Sequence, residues 1–200
     1  MEGLLNSIDT FDRAVVDWIQ ANLQWDWLTA AMNIVTDKVY WYLPLAALLI
    51  FFIIKGGRLR AAAILIVPLI LLSDSGTAKL LKPLFGRPRP LGHGGLSLPS
   101  VHAANAFAIA TLLSHFVRKL PFSIFAFVMA ALVAYSRVHI GVHYPTDVVA
   151  GTAVGIADAI IIIVIYLIFR DWLEKTVPWL FPPEKTNDSH IRDNNGDTPS

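Results

Sequence analysis

Hydrophobic and polar positions along this chain segregate into long blocks. Apolar blocks occupy residues 39–54, 61–81, 101–117, 121–135 and 145–169, separated by short polar, basic or proline-bearing stretches. Residues 39–54 and 159–169 contain no Lys, Arg, Asp or Glu. A helix that crosses a bilayer needs roughly 20 mostly apolar residues, and several of these windows approach or reach that length. One greasy helix could be the core of a soluble protein; a recurring series predicts membrane-spanning helices.

The first forty residues follow a different pattern. Residues 7–36 mix apolar positions with Asp9, Asp12, Arg13, Asp17 and Asp26, while Val15, Trp18, Ile19 and Leu23 recur at helical spacing. Trp18, Trp25 and Trp27 favour the water–lipid boundary. The pattern predicts one or two amphipathic helices on the membrane surface. An alternative crossing within residues 14–35 would have to bury two aspartates. The expected fold is all-α: an integral membrane bundle of five transmembrane helices, or six if 14–35 crosses, plus the interfacial helices. The expected organisation is an interfacial segment over 1–38, a membrane-embedded domain over 39–181, and a polar, turn-rich, disordered tail over 182–200.

Composition agrees with a membrane protein. Of 200 residues, 55% are hydrophobic and 16% charged, against about 25% charged in an average soluble domain. The net charge of +1 gives no support to a nucleic-acid partner, and the absence of cysteine excludes disulfides and thiolate metal sites. The N-terminus, MEGLLNSIDTFDR, has no basic stretch ahead of its apolar residues, which argues against a secretory signal peptide.

Charge also orients the bundle. Lys55, Arg58 and Arg60 occupy one connection, Arg118 and Lys119 the next but one, and Arg170 and Lys175 follow the last block. The positive-inside rule makes these ends cytoplasmic. Residues 82–99 and 138–143 then lie on the extracytoplasmic side, where Lys and Arg run against the topology signal, as functional charges would. Gly151 and Gly155 form a GxxxG step that predicts close helix packing.

Those extracytoplasmic ends carry the candidate chemistry. Three segments stand out: KPLFGRPRP at 82–90, PSVH at 99–102 and SRVHIGVHYPTD at 136–147. Ser100 precedes a long helical run and is expected to cap it, bringing His102 to a helix N-terminus that favours anions. His139, His143 and Asp147 are spaced by four, but Pro145 excludes one continuous helix through them. A helix starting at Pro145 places Asp147 in its first turn and leaves His143 just ahead. A carboxylate accepting Nδ1–H would leave Nε2 bare and nucleophilic; complementing the helix dipole is the simpler role for Asp147. Lys82, Arg87, Arg89 and Arg137 form a cationic set suited to phosphate oxygens or, alternatively, to headgroup anchoring, a role assigned to Lys79 and Arg87. Asp74, inside an apolar block, is expected to pair with Lys79 or a cation of a neighbouring helix. His93, His115 and His190 have no partner at informative spacing.

These motifs resemble the type 2 phosphatidic acid phosphatase superfamily, which includes bacterial lipid phosphatases and vanadium haloperoxidases. Its pattern is K-x6-R-P, then P-S-G-H, then S-R-x5-H-x3-D. Lys82 through Arg89–Pro90 fits the first, and Ser136–Arg137 through His143 to Asp147 fits the third. Val101 stands where the family has Gly, leaving the backbone N–H but adding bulk. The resemblance covers roughly residues 60–170. It implies that His143 attacks phosphorus, that Asp147 orients it, and that His102 protonates the leaving oxygen and then activates water. It further implies that Lys82, Arg89, Ser100, the Val101 N–H and Arg137 hold the phosphoryl oxygens, with no metal and no cofactor. The haloperoxidase relatives are soluble, so the apolar blocks favour the lipid phosphatase branch.

The expectation is therefore a phosphatase of the bacterial inner membrane, acting at its extracytoplasmic face on a lipid phosphate monoester or diphosphate. Undecaprenyl diphosphate, phosphatidylglycerophosphate, phosphatidic acid and lipid A phosphate are candidate substrates. Its partners are the lipid substrate and membrane lipids, with no nucleic acid. The rival expectation is a non-enzymatic lipid-binding or transport protein on the same fold.

Overall fold

The computed structural model describes residues 2–181, so the polar tail and His190 lie outside the described residues. Two helices open the chain, α1 (Glu2–Asn22) and α2 (Asp26–Thr36), followed by α3 (Val39–Lys55). Helix α4 (Gly57–Ser75) continues through a π-helical turn, Gly76–Leu81, into the short α5 (Lys82–Phe85). A loop with a 3₁₀ turn at Pro90–Gly92 leads to α6 (Val101–Val117), α7 (Leu120–His139) and α8 (Pro145–Thr176). There is no strand among the described residues, and an isolated bridge pairs Pro88 with Leu96.

Every apolar block predicted from the sequence lies inside one of these helical stretches. By length and apolarity three qualify as spans: Gly57–Phe85, Leu120–His139 and Pro145–Thr176. Helices α2 and α3 qualify together, bent by 47° at their junction, and α6 is a shorter apolar helix. The architecture is an all-helical integral membrane bundle with three to four candidate spans. The chain leaves helix between Asn22 and Asp26, so no continuous helix runs through residues 14–35.

Helix α6 is the centre of the bundle and packs against α8, α7 and α4. Lipid tails are as apolar as leucine, so helices in a membrane associate through close packing. Small residues supply it: Ala61 and Ala62 of α4, Ala104 and Ala108 of α6, and Ala159 of α8 are fully or almost fully buried. The GxxxG step works as the sequence predicts. A Cβ on Gly151 would collide with the Ser100 carbonyl oxygen, and one on Gly155 with the Ala104 carbonyl oxygen. Ile66, Leu69 and Leu112 fill the remaining core, while Leu43, Ile54, Leu80 and Ile168 project outward, 70% or more exposed. Such an outer surface suits lipid, not water.

Candidate active site

The motif-bearing ends converge where α6 and α8 begin and α7 ends. The Gly151 and Gly155 contacts draw α6 onto α8, and the Ser100 N–H donates to the Asp147 carbonyl oxygen at 2.9 Å. Ser100 does stand at the N-cap of α6, but its hydroxyl makes no capping bond. That hydroxyl is buried and has no partner among the described residues. The expected side-chain cap is thus absent. What results is an unused hydroxyl beside helix N–H groups, a natural anion site.

A tight turn delivers His143. Helix α7 ends at His139, and Gly141 adopts φ +70°, where a side chain would also strike Leu91. The turn folds back so that the N–H groups of Val142 and His143 both donate to the Arg137 carbonyl, at 3.1 and 3.2 Å. Pro145 then opens α8, as predicted, with Asp147 in its first turn. Asp147 Oδ2 accepts the Tyr144 N–H at 2.8 Å and lies 3.5 Å from His143 Nδ1, beyond an ordinary hydrogen bond. Both side chains are buried. Burial lowers the His143 pKa from 6.5 and outweighs the adjacent Asp147 carboxylate, which acts to raise it. His143 is therefore neutral at pH 7, the form in which a ring nitrogen can attack.

The other predicted residues gather around it. Lys82 Nζ donates to the Leu96 carbonyl at 2.7 Å, and Arg89 Nε reaches the same oxygen at 3.4 Å. Arg137 Nη1 donates to Thr36 Oγ1 of α2 at 2.5 Å, while its buried Nε has no partner among the described residues. His102 lies within electrostatic reach of Arg137, His143 and Arg89, and Lys82 within reach of Arg89, Asp147 and Arg137. Val101 is half-buried at the first turn of α6. All eight predicted residues thus belong to the three segments that the fold brings together. Among the described residues there is no cluster of three His, Asp or Glu side chains arranged to hold a metal ion.

Two further expectations are corrected. Arg87 is not a headgroup anchor. Its Nη2 pairs with Asp12 at 2.8 Å and Asp9 at 3.2 Å, and its Nη1 with Asp147 at 3.0 Å and Thr146 Oγ1 at 2.8 Å. Burial works against its charge, yet these carboxylates hold its pKa above the usual arginine value. Asp74 accepts a hydrogen bond from Asn105 of α6 at 3.2 Å, an amide and not a cation. Among the described residues of α1 the buried side chains are Asp12, Val16 and Ile19.

Asp12 is the residue that sequence reasoning missed. It is fully buried and accepts hydrogen bonds from Arg87, the Thr146 N–H at 3.1 Å, and the Thr146 hydroxyl. A signal was available, because Asp12 stands four residues before Val16 and seven before Ile19, on the apolar stripe of its helix. His139 is also buried, and its carbonyl accepts from Gln20 and Gln24 at 2.9 and 3.0 Å.

Residues 62–172 match the PAP2 superfamily, more than half of the chain. The chain belongs to the PAP2 superfamily. The PAP2 segment contains all three motifs and begins after α3. The chain is 33% identical over 150 residues to a lipid A 4'-phosphatase of Bacteroides thetaiotaomicron, covering 66% of this chain and 65% of that one. It is 35% identical over 106 residues to phosphatidylglycerophosphatase B of Bacillus subtilis, covering 46% of this chain and 52% of that one. The chain thus spans just under two thirds of the length of the first relative and about half of the second. Among solved structures, Aquifex aeolicus LpxE superimposes with a TM-score of 0.63 at 28% identity, over 76% of this chain and 94% of that one.

Proposed function

We propose that this PAP2 protein is an integral membrane lipid phosphatase that works through a phosphohistidine. The observation that carries this reading is a buried His143 beside Asp147 and within electrostatic reach of Lys82 and Arg137, with Ser100 joined to Asp147 through its backbone. Unpartnered buried donors are costly. A phosphoryl group supplies the acceptors that the Ser100 hydroxyl and Arg137 Nε lack.

In the first step His143 Nε2 attacks phosphorus and the bond to the leaving oxygen breaks, with His102 donating a proton to that oxygen. In the second step His102 takes a proton from water as the water oxygen attacks the phosphohistidine. Orthophosphate leaves and both histidines return to their starting forms. Lys82, Arg89, Arg137, Ser100 and the Val101 N–H stabilise the charge that builds on the equatorial oxygens.

The substrate class is a lipid phosphate monoester or diphosphate. An apolar groove of about 480 Å³ among α1, α6, α7 and α8, lined by Ile19, Phe107, Ala131, Val138 and Val148, reaches Pro145 and suits an acyl or prenyl chain. The names of the relatives make lipid A phosphate and phosphatidylglycerophosphate the first candidates, with phosphatidic acid and undecaprenyl diphosphate beside them. In the proposed topology α3, α4–α5, α6, α7 and α8 make five crossings, and residues 1–38 lie on the outer surface of the bacterial inner membrane. In support, the polar contacts of α1 and α2 go to the motif-bearing ends of the bundle.

The test is phosphate release by purified protein in detergent over those four lipids, with His143→Ala as control. Release that vanishes in the variant is expected. Release that survives it overturns the histidine-nucleophile reading, and no release from any of the four lipids overturns the lipid phosphatase reading.

A further inference from the structure

We propose that Asp12, carried on α1, is a positioning residue for this hydrolysis: it holds Arg87 and Thr146 so that Asp147 stays aligned behind His143. The inference rests on the phosphatase reading above and extends it to a helix outside the 62–172 segment.

The argument starts from cost. A carboxylate withdrawn from water is unfavourable by several kcal/mol unless it is paired and hydrogen-bonded. Asp12 is 0% exposed, and its two oxygens are fully engaged by Arg87, the Thr146 N–H and the Thr146 hydroxyl. A surface helix needs no buried acid to stay attached, since Val16 and Ile19 already bury its apolar face. The placement of the acid, one guanidinium away from Asp147, is what its burial achieves.

Arg87 is the coupling element. It presents one nitrogen to α1, through Asp12 and Asp9, and the other to α8, through Thr146 and Asp147. Its guanidinium also lies 4.1 Å from the centre of the Tyr144 ring, so it is fixed from three sides. Asp147 therefore has its Oδ1 held by Arg87 and its Oδ2 held by the Tyr144 N–H, with His143 Nδ1 next to Oδ2. The carboxylate cannot rotate without breaking one of these bonds. Charge balance points the same way. With Asp12 and Asp9 neutralising Arg87, the negative charge of Asp147 is left to serve the histidine. With Asp12 gone, Arg87 draws on Asp147 instead.

The rest of the N-terminal pair makes the same kind of contact. Gln20 and Gln24 tie α1 and its following turn to the His139 carbonyl, and Thr36 of α2 accepts from Arg137. Residues 9–36 thus touch residues 87, 137, 139 and 146, the framework on which the nucleophile and Asp147 are mounted.

The experiment compares wild type, Asp12→Asn, Asp12→Glu, Asp17→Asn and His143→Ala as full-length protein in detergent. Steady-state rates are taken on phosphatidylglycerophosphate and lipid A phosphate, and a thermal melt monitors folding. Asp12→Asn is expected to lower kcat by about tenfold to a hundredfold with KM within about twofold, as a misplaced catalytic group does. Asp12→Glu, which keeps the charge, should recover part of that loss. Asp17→Asn, exposed on the same helix, should match wild type. In an Arg87→Gln background, Asp12→Asn should cost little more, because the two residues act as one unit. Unchanged kcat in folded Asp12→Asn, a loss confined to KM, or losses that add independently of Arg87 would overturn the proposal while the phosphatase reading stands. Absence of release from wild type on both lipids moves the comparison to phosphatidic acid and undecaprenyl diphosphate, and absence on all four defeats the inference together with that reading. If Asp12→Asn does not fold, Asp12→Glu decides: kcat equal to wild type refutes the proposal, and a several-fold fall with KM retained supports it.

Discussion

The backbone N–H of Ser100 donates to the carbonyl oxygen of Asp147 at 2.9 Å. This bond joins the starts of α6 and α8, and with them the segments bearing His102 and His143. It forms because Gly151 and Gly155 let the two helices approach backbone to backbone.

Gly155→Ala is expected to break that approach. The added methyl collides with the Ala104 backbone, and overpacking of this kind costs about 1–3 kcal/mol. A thermal melt should show the loss of stability. Phosphate release per folded molecule should fall as well, since Ser100 and Asp147 lose register. A variant with wild-type melting and turnover would show that the helices tolerate separation.

The pH dependence of kcat/KM should report His143. Burial lowers its pKa below 6.5, so the neutral, nucleophilic form persists to lower pH than in free histidine. The acid limb should then have its midpoint below 6.5. Asp147 acts to raise this pKa, so Asp147→Asn should move the limb further to acid and lower the plateau. A limb moving to higher pH in that variant would contradict the assigned pairing.

Val101→Gly is expected to keep or raise turnover. The contact offered to a phosphoryl oxygen here is a backbone N–H, which both residues possess, and glycine removes the bulk beside it. A large fall in kcat would make the valine side chain part of the working site.

EDTA is expected to leave phosphate release intact. Every charge that the proposed mechanism places on the phosphoryl oxygens comes from Lys82, Arg89, Arg137 and hydrogen-bond donors of the chain itself. Complete loss that added metal restores would replace the histidine nucleophile with metal chemistry.

Much of the bundle was legible because bilayer helices write themselves as long apolar blocks, and Pro145 marked a helix start by removing an N–H. The same reasoning placed His143 ahead of α8 and Asp147 in its first turn. Arg87 and Asp12 were not legible as a pair. They stand 75 residues apart, and nothing local distinguishes an arginine that anchors a headgroup from one that bridges two buried carboxylates. The Ser100 cap misled for a related reason. Capping preference is a local tendency, and here the Ser100 hydroxyl is left unbonded among the described residues while its N–H joins α8.

The sequence by itself determined the helical class, the apolar blocks and the three segments whose residue types suit phosphate chemistry. Those properties depend on local composition and on spacing along one chain. Only the tertiary structure decided that α1 reaches the site, that Arg87 is shared between Asp12 and Asp147, and that the Ser100 hydroxyl is left unpartnered. These are outcomes of competition among distant groups for the same buried hydrogen bonds, settled by which helices can approach closely enough to offer them.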